Sequence, residues 1–240
     1  MKKILYSVAL AACCMGTMTS CSDFLDASNK SNVTAKQSFA TKEGLNNLVN
    51  NAYQHLQNVY AAPLFTSCFS AGTDMYADAR NKMNEALNTY ETLTPENTDI
   101  KNLYTYLYSG IRAANSVSYY AQTAQVDEKT KGQLVGEARV LAAYEYYLLV
   151  NNFGGVPIMK DFLTTTGTGY PKSSAADVYA YIISELEDVI SKNVLQASTA
   201  TKGGGRISQE TAKAILAKTY LSAAWDLNKQ EYFSKAAALA

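Results

Sequence analysis

The stretch that decides the fold class of this chain is Leu134-Val-Gly-Glu-Ala-Arg-Val-Leu-Ala-Ala-Tyr-Glu-Tyr-Tyr-Leu-Leu-Val-Asn-Asn-Phe-Gly-Gly-Val-Pro157. Gly154, Gly155 and Pro157 are residue types that stop a helix. The sequence therefore predicts one long helix over about 128–152. Its apolar residues recur every three or four positions, as on a buried helix face, and are Leu134, Ala138, Leu141, Ala142, Leu148 and Leu149.

The same periodicity recurs along the rest of the chain. A helix is predicted to begin near Thr94-Pro95-Glu96, because these residue types favour the first turn. No stretch alternates with period two for more than a few residues, which predicts an all-α fold. Paired helices with Ala at contact positions are typical of tetratricopeptide-like helical repeats of the α/α-superhelix type, although the strict tetratricopeptide consensus is absent. The other predicted helices span about 42–60, 174–191, 208–227 and the residues from Gln230 onward.

Residues 1–20 have the parts of a secretory signal peptide. Lys2 and Lys3 precede an apolar run of about a dozen residues, which is shorter than the ~20 residues that cross a bilayer. Small polar residues then precede Cys21, as in a bacterial lipobox, where cleavage leaves a Cys that carries acyl chains. An ordinary secreted protein cleaved near Ser20 is the alternative. The predicted organisation is a lipoprotein signal peptide over 1–20, a lipidated tether over 21–42 and a helical domain over 43–240.

Charge balance and rare residues exclude several classes of protein. The chain has 21 basic and 21 acidic residues without a block of like charge, whereas nucleic-acid binding needs a basic surface. His55 is the only histidine, so neither an HExxH motif nor a pair of zinc-binding histidines exists, and no GxSxG motif is present. Only Cys68 would remain unmodified after processing, which predicts a buried, inert thiol and no intrachain disulfide. No cofactor is expected.

Acidic residues on two predicted helices keep a surface glycosidase open as an alternative, because such an enzyme needs paired carboxylates. Acids at this density on helices are more often solvated or ion-paired, as Asp188 would be with Lys192 one turn later. Glu137 has no basic residue three or four positions away, so local pairing does not explain it. The candidate acids are Glu137, Glu145, Glu185, Glu187 and Asp188.

Three segments lack clear helical periodicity, namely 66–93, 160–174 and 196–206. Long loops in helical domains are usually functional or disordered. The chain also contains 18 Tyr, whose rings suit both helix packing and stacking on sugars. Its single Trp, Trp225, lies in the predicted helix over 208–227 and is expected in the core.

Four segments together resemble the SusD/RagB lipoproteins. Residues 136–158 are similar to the family pattern E-x-R-x-L-R-A-x-x-Y-x-x-L-V-x-x-F-G-x-V-P. Residues 205–221 resemble a second family signature and residues 108–115 a third. Cys21-Ser-Asp-Phe-Leu-Asp26 resembles the mature start of these proteins, including the acidic surface-exposure signal of Bacteroidota lipoproteins.

Within this resemblance, Glu137 and Arg139 fall on the E-x-R positions, while Ala142 stands where the family usually has Arg. Family members are much longer, so the resemblance implies the N-terminal portion of such a protein, truncated inside a helix. It also implies a non-catalytic lipoprotein on the outside of the outer membrane. Such a protein binds an oligosaccharide or similar nutrient and passes it to a TonB-dependent, SusC-like transporter.

The resemblance further implies that one wall of the ligand site lies in the loop after Thr73-Asp74 and before Pro95. Sugar binding needs planar hydrogen-bonding groups and aromatic rings. The loop residues that supply them are Asp74, Tyr76, Asp78, Arg80, Asn81, Asn84 and Tyr90. Three alternatives stay open: an ordinary solvated loop, a surface glycosidase, and a helical-repeat scaffold that binds only protein.

Cys21→Ser should block processing, keep residues 1–20 attached and prevent stable surface display, because no acyl chain is then available for anchoring. Replacing both Asp23 and Asp26 with Ala should leave acylation intact but hold the lipoprotein on the periplasmic side. Radiolabelled palmitate incorporation and protease accessibility on intact cells measure the two steps separately. A Cys21→Ser protein that stayed palmitoylated and accessible would contradict the lipobox assignment.

Overall fold

The computed structural model of the protein describes residues 34–61, 64–76, 85–164, 167, 169–198 and 205–240. Within these residues the only β-type pairing is an isolated bridge between Thr73 and Tyr76, and none of the helices is both long and apolar enough to cross a bilayer. The predicted all-α fold is confirmed, whereas the predicted signal peptide, Cys21 and residues 22–33 of the predicted tether lie outside the described residues. The helices are α1 (Ala35–Ser38), α2 (Lys42–Tyr60), α3 (Leu64–Phe69), α4 (Glu85–Thr89), α5 (Thr98–Ala121), α6 (Glu128–Phe153), α7 (Ala175–Lys192), α8 (Gln209–Asp226) and α9 (Gln230–Leu239).

Side-chain caps explain where several long helices begin. Thr41 caps α2 by accepting a hydrogen bond from the Gly44 N–H at 3.1 Å. Ser174 forms a reciprocal capping box with Asp177 at the start of α7, and Ser208 caps α8. Such caps satisfy backbone donors that have no partner in the first turn. The predicted starts of these three helices are confirmed.

The start of α5 differs from the prediction. The Asn97 side-chain oxygen accepts hydrogen bonds from the N–H groups of Asp99 and Ile100, at 3.0 and 3.2 Å, so the helix begins at Thr98. Thr94 begins a turn instead, and its carbonyl accepts a hydrogen bond from the Asn97 N–H at 3.1 Å. Asn is the stronger N-cap of the two residue types, so the prediction near Thr94 was wrong by about one turn.

Helix α6 is the central element of the fold. It packs against α2, α5, α7 and α8, and it is buried on most sides rather than along one stripe. All its apolar residues predicted to face inward are buried. The long helices also pack pairwise in chain order from α5 to α9, which is the arrangement of a tetratricopeptide-like repeat. The unit they build runs over Lys36–Ala240.

Glu137 joins α6 to two other parts of the chain. Its side chain is 1% exposed, and its carboxylate forms an ion pair with Arg206 Nε at 2.7 Å. Tyr53 Oη of α2 and Gln133 Nε2 each donate a hydrogen bond to it at 3.1 Å. The Tyr53 hydroxyl in turn accepts a hydrogen bond from the Ile207 N–H at 2.7 Å. The Glu137 network, formed by these residues, therefore links α2, α6 and the residues that lead into α8.

Glu145, two turns later on α6, is buried without such partners. Neither carboxyl oxygen has a hydrogen-bond partner among the described residues. A Cβ atom added at Gly110 of α5 would lie 1.7 Å from Glu145 Oε1, so the carboxyl group occupies the space that a larger residue would need. Burial raises the pKa of Glu145 well above its ordinary value, because the charged form is poorly solvated there.

The structure corrects the predicted place of Trp225. Its side chain is 73% exposed, and its ring lies edge-on to that of Phe233 at 5.2 Å between centroids. Helix α8 turns Leu216, Tyr220 and Ala223 inward instead, as the periodicity predicts. Trp225 therefore lies on the outer face of α8 and contributes little to the core.

Arg206→Met should lower the free energy of unfolding by about 3 kcal/mol, because loss of one partner leaves a buried charge uncompensated. Lys192→Met is the control, since Lys192 is 58% exposed and its surface pair with Asp188 contributes about 0–1 kcal/mol. Urea denaturation of both variants and the parent measures the difference. Equal stability of the two variants would contradict the structural role of the Glu137 network.

Glu145→Gln should stabilise the protein increasingly as the pH rises. Because the pKa of Glu145 is higher in the folded than in the unfolded state, the folded protein binds more protons, and its stability decreases as the pH rises through the folded pKa. The neutral amide removes this loss while keeping the size of the side chain. Thermal unfolding of both proteins at about pH 4.5 and about pH 8 tests this prediction. A difference in Tm that did not change with pH would contradict it.

Candidate functional site

A compact turn follows α3 and carries two of the predicted site residues. The Thr73 hydroxyl donates a hydrogen bond to the Ser70 carbonyl at 2.8 Å, and the Thr73 carbonyl accepts one from the Tyr76 N–H at 3.3 Å. Asp74 and Met75 lie between these bonds at the tip of the turn, and both are exposed. Tyr76 is 40% exposed. We call residues 70–76 the Asp74 turn.

Tyr90, which follows α4, lies against this turn. Its hydroxyl donates a long hydrogen bond of 3.4 Å to the Gly72 carbonyl, and a Cβ atom added at Gly72 would lie 2.3 Å from Tyr90 Oη. Gly72 has a φ of +73°, so glycine meets both the backbone and the space requirement. Tyr90 itself has a φ of +63°, which strains a bulky residue and is typical of functional sites. Its side chain is nevertheless 58% exposed.

The structure thus places Asp74, Tyr76 and Tyr90 on or against one turn. Two exposed phenol rings and a carboxylate are groups that stack on sugar rings and accept hydrogen bonds from their hydroxyls. The remaining predicted site residues, Asp78, Arg80, Asn81 and Asn84, lie outside the described residues. The described part of the chain contains no group of three His, Cys, Asp or Glu side chains that could hold a metal ion.

Four of the five acids considered for a glycosidase have structural partners. Arg139 forms ion pairs with Glu185 at 2.7 Å and with Asp188 at 2.5 Å. The predicted pair between Asp188 and Lys192 is present at 2.7 Å, and together with Arg139 it lowers the pKa of Asp188. Glu187 accepts a hydrogen bond from Tyr220. Glu137 is ion-paired inside the core, whereas Glu145 is buried there without a hydrogen-bond partner among the described residues.

The candidate nucleophile, Cys68, and the candidate base, His55, both have shifted pKa values. Cys68 is partly buried, and burial together with the charge of Asp99 raises its pKa to about 11, which keeps the thiol protonated at neutral pH. Burial lowers the pKa of His55, because the protonated imidazole is poorly solvated there. The prediction of an inert thiol agrees with this environment.

Sequence reasoning missed a groove that runs along one side of α5. Two adjoining clefts of about 470 and 370 Å³ share Ser109 and Arg112 as lining residues. Tyr104 and Tyr108 share the three-to-four-residue spacing of the buried Leu103, Leu107 and Ile111, but both are only partly buried and line one cleft. The unusual Tyr content was the available signal. The α5 groove is defined by Tyr104, Ser109, Arg112, Tyr120, Phe162 and Tyr170.

Comparisons with known proteins agree with this architecture. SusD-like protein P38 of Formosa agariphila is 27% identical over 190 residues, which cover 77% of this chain and 36% of that protein. The structure of surface glycan-binding protein A from Bacteroides uniformis matches with a TM-score of 0.69 and 26% identity, covering 82% of this chain and 44% of that one. A SusD homologue from Bacteroides thetaiotaomicron has the same fold, with a TM-score of 0.71, 21% identity and coverage of 88% and 42%.

The chain therefore spans less than half the length of each of these relatives. The sequence model of a SusD-like family, described as starch-binding and associating with the outer membrane, matches residues 23–221. Because this match covers most of the chain, the protein belongs to the SusD-like family.

Proposed function

We propose that this chain is the ligand-binding part of a surface-exposed, non-catalytic outer-membrane lipoprotein that binds an oligosaccharide or similar nutrient. The Asp74 turn and Tyr90 form one wall of its binding site, with Asp78, Arg80, Asn81 and Asn84 in the same loop. The lipid on Cys21 anchors it to the outer membrane. A TonB-dependent, SusC-like transporter receives the ligand.

The observation that carries this proposal is the conformation of Tyr90. A left-handed backbone at a bulky residue costs free energy of about 1–3 kcal/mol, which a protein retains where the conformation serves a purpose. Here the strained backbone holds a phenol ring against the Asp74 turn and leaves 58% of its side chain exposed to a ligand. A buried aromatic residue would have gained packing energy instead.

Family membership supports the ligand class and the location. The family is described as starch-binding and associating with the outer membrane, and the Bacteroides uniformis relative is named as a surface glycan-binding protein. The pattern of the first 26 residues supports lipid anchoring independently of the fold. The paired and buried carboxylates leave a surface glycosidase without support among the described residues.

Tyr90→Ala should weaken retention of a bound glycan by about tenfold, which corresponds to about 1.4 kcal/mol of lost stacking. Asp74→Ala should also weaken it, because a carboxylate that accepts hydrogen bonds from sugar hydroxyls is removed. Association with the transporter should stay intact in both variants. A glycan array followed by calorimetric titration of the retained glycan measures the first effect, and co-purification with the transporter measures the second.

Trp225→Ala is the matched control, because it removes an exposed aromatic ring from α8 rather than from the Asp74 turn. Full glycan retention by Tyr90→Ala and Asp74→Ala would favour the solvated-loop and protein-scaffold alternatives. Prolonged incubation of the parent with its glycan should release no shorter products. Hydrolysis that a single Glu or Asp substitution abolishes would establish the glycosidase alternative instead.

A further inference from the structure

The α5 groove has the length of a site for a chain rather than for a single sugar. Its floor runs along α5 from Tyr104 to Tyr120, which is about 24 Å at 1.5 Å per residue. Residues of α2 form part of one wall, and the connection between α6 and α7 supplies Phe162 and Tyr170. The two clefts adjoin at Ser109 and Arg112, which line both of them.

Aromatic side chains lie at both ends of the groove. Tyr170 is 38% exposed at one end, where Tyr104 and Tyr108 lie with ring centroids 4.8 Å apart. Phe162 and Tyr120 lie at the other end, with centroids 5.9 Å apart. Aromatic rings separated by a polar centre are suited to a ligand with several apolar ring faces joined by polar groups.

The centre of the groove carries a positive charge that is not paired within the described residues. Arg112 is exposed and lies over the Phe162 ring, with the guanidinium carbon 5.2 Å from the ring centroid. It forms no ion pair with any carboxylate of the described residues, and neither cleft is lined by a described Asp or Glu. A guanidinium group held on an aromatic face is well arranged to bind a carboxylate through two hydrogen bonds.

His55 supplies a second observation that points to a ligand. Its Nδ1 atom is buried yet has no hydrogen-bond partner within the described residues, and the side chain lines the same cleft as Arg112. Buried polar atoms are normally hydrogen-bonded, so the unpartnered Nδ1 shows that the imidazole has unused hydrogen-bonding capacity beside the cleft. A neutral imidazole nitrogen can bond to a hydroxyl group in either direction.

We propose that the α5 groove binds a linear oligosaccharide that contains uronic acid residues. Its pyranose rings stack on Tyr170, Tyr104 and Phe162, and one carboxylate accepts two hydrogen bonds from Arg112. A ring hydroxyl bonds to the His55 imidazole, which lines the same cleft. This inference rests on the proposed function and adds to it a second binding surface and a class of ligand.

The test compares hexagalacturonate with maltohexaose as probes of the purified protein. Arg112→Gln removes the charge, and Ser109→Phe fills the middle of the groove without changing any charge. Lys101→Ala, which removes an exposed cation of α5 outside the groove, is the matched control. Calorimetry measures affinity, circular dichroism checks that each variant is folded, and hydroxyl-radical footprinting reports whether the ligand covers Tyr170.

The parent protein is expected to bind hexagalacturonate and to show protection of Tyr170. Arg112→Gln and Ser109→Phe should each weaken this binding at least about tenfold. Lys101→Ala should bind as the parent does. Full affinity in folded Arg112→Gln and Ser109→Phe proteins would overturn the inference, and so would a preference for maltohexaose. If Tyr90→Ala abolishes binding while the groove variants do not, the proposed function stands and only the groove fails. If the parent binds no glycan on the array, the proposed function fails and the groove with it.

Discussion

The enclosed carboxylate of Glu137 is the constraint on which the rest of the packing depends. A charge removed from water must be met by an opposite charge and by hydrogen bonds, or it destabilises the fold. Arg206 meets this need from 69 positions later in the chain, and Tyr53 does so from 84 positions earlier. Both segments must therefore reach α6 before its core can close. Helix α6 in turn packs against α5, which carries the groove.

The sequence was sufficient to predict where the helices lie, but it did not predict which distant side chains they contact. Periodicity and cap residues located α6, α7 and α8, because both signals are local to the helix. The lack of a nearby base marked Glu137 as unusual, but no local pattern names a cation 69 residues away. The predictions for Thr94 and Trp225 failed because residue type alone decided them. Asn97, three residues after Thr94, caps α5 instead, and Trp225 lies on the outer face of α8 although its residue type favours the core.

The candidate site was likewise predictable only in part. A loop after Thr73-Asp74 was predictable from the resemblance, and its residues were chosen by their chemistry. The conformation of Tyr90 was not, because nothing local in the sequence indicates its positive φ, and its hydroxyl lies where a side chain at residue 72 would be. The α5 groove also escaped prediction. Tyr104 has the spacing of a buried residue, and whether such a ring is enclosed depends on the connection after α6, which has no periodicity of its own.

The contact between Gly110 and Glu145 has an evolutionary consequence. The carboxyl group of Glu145 occupies the space that a side chain at residue 110 would need. A larger residue at 110 is therefore compatible only with a shorter one at 145, and substitutions at the two sites have non-additive effects on stability. We expect residues 110 and 145 to covary among related sequences. Where residue 110 is not glycine, residue 145 should be a shorter residue without a carboxyl group.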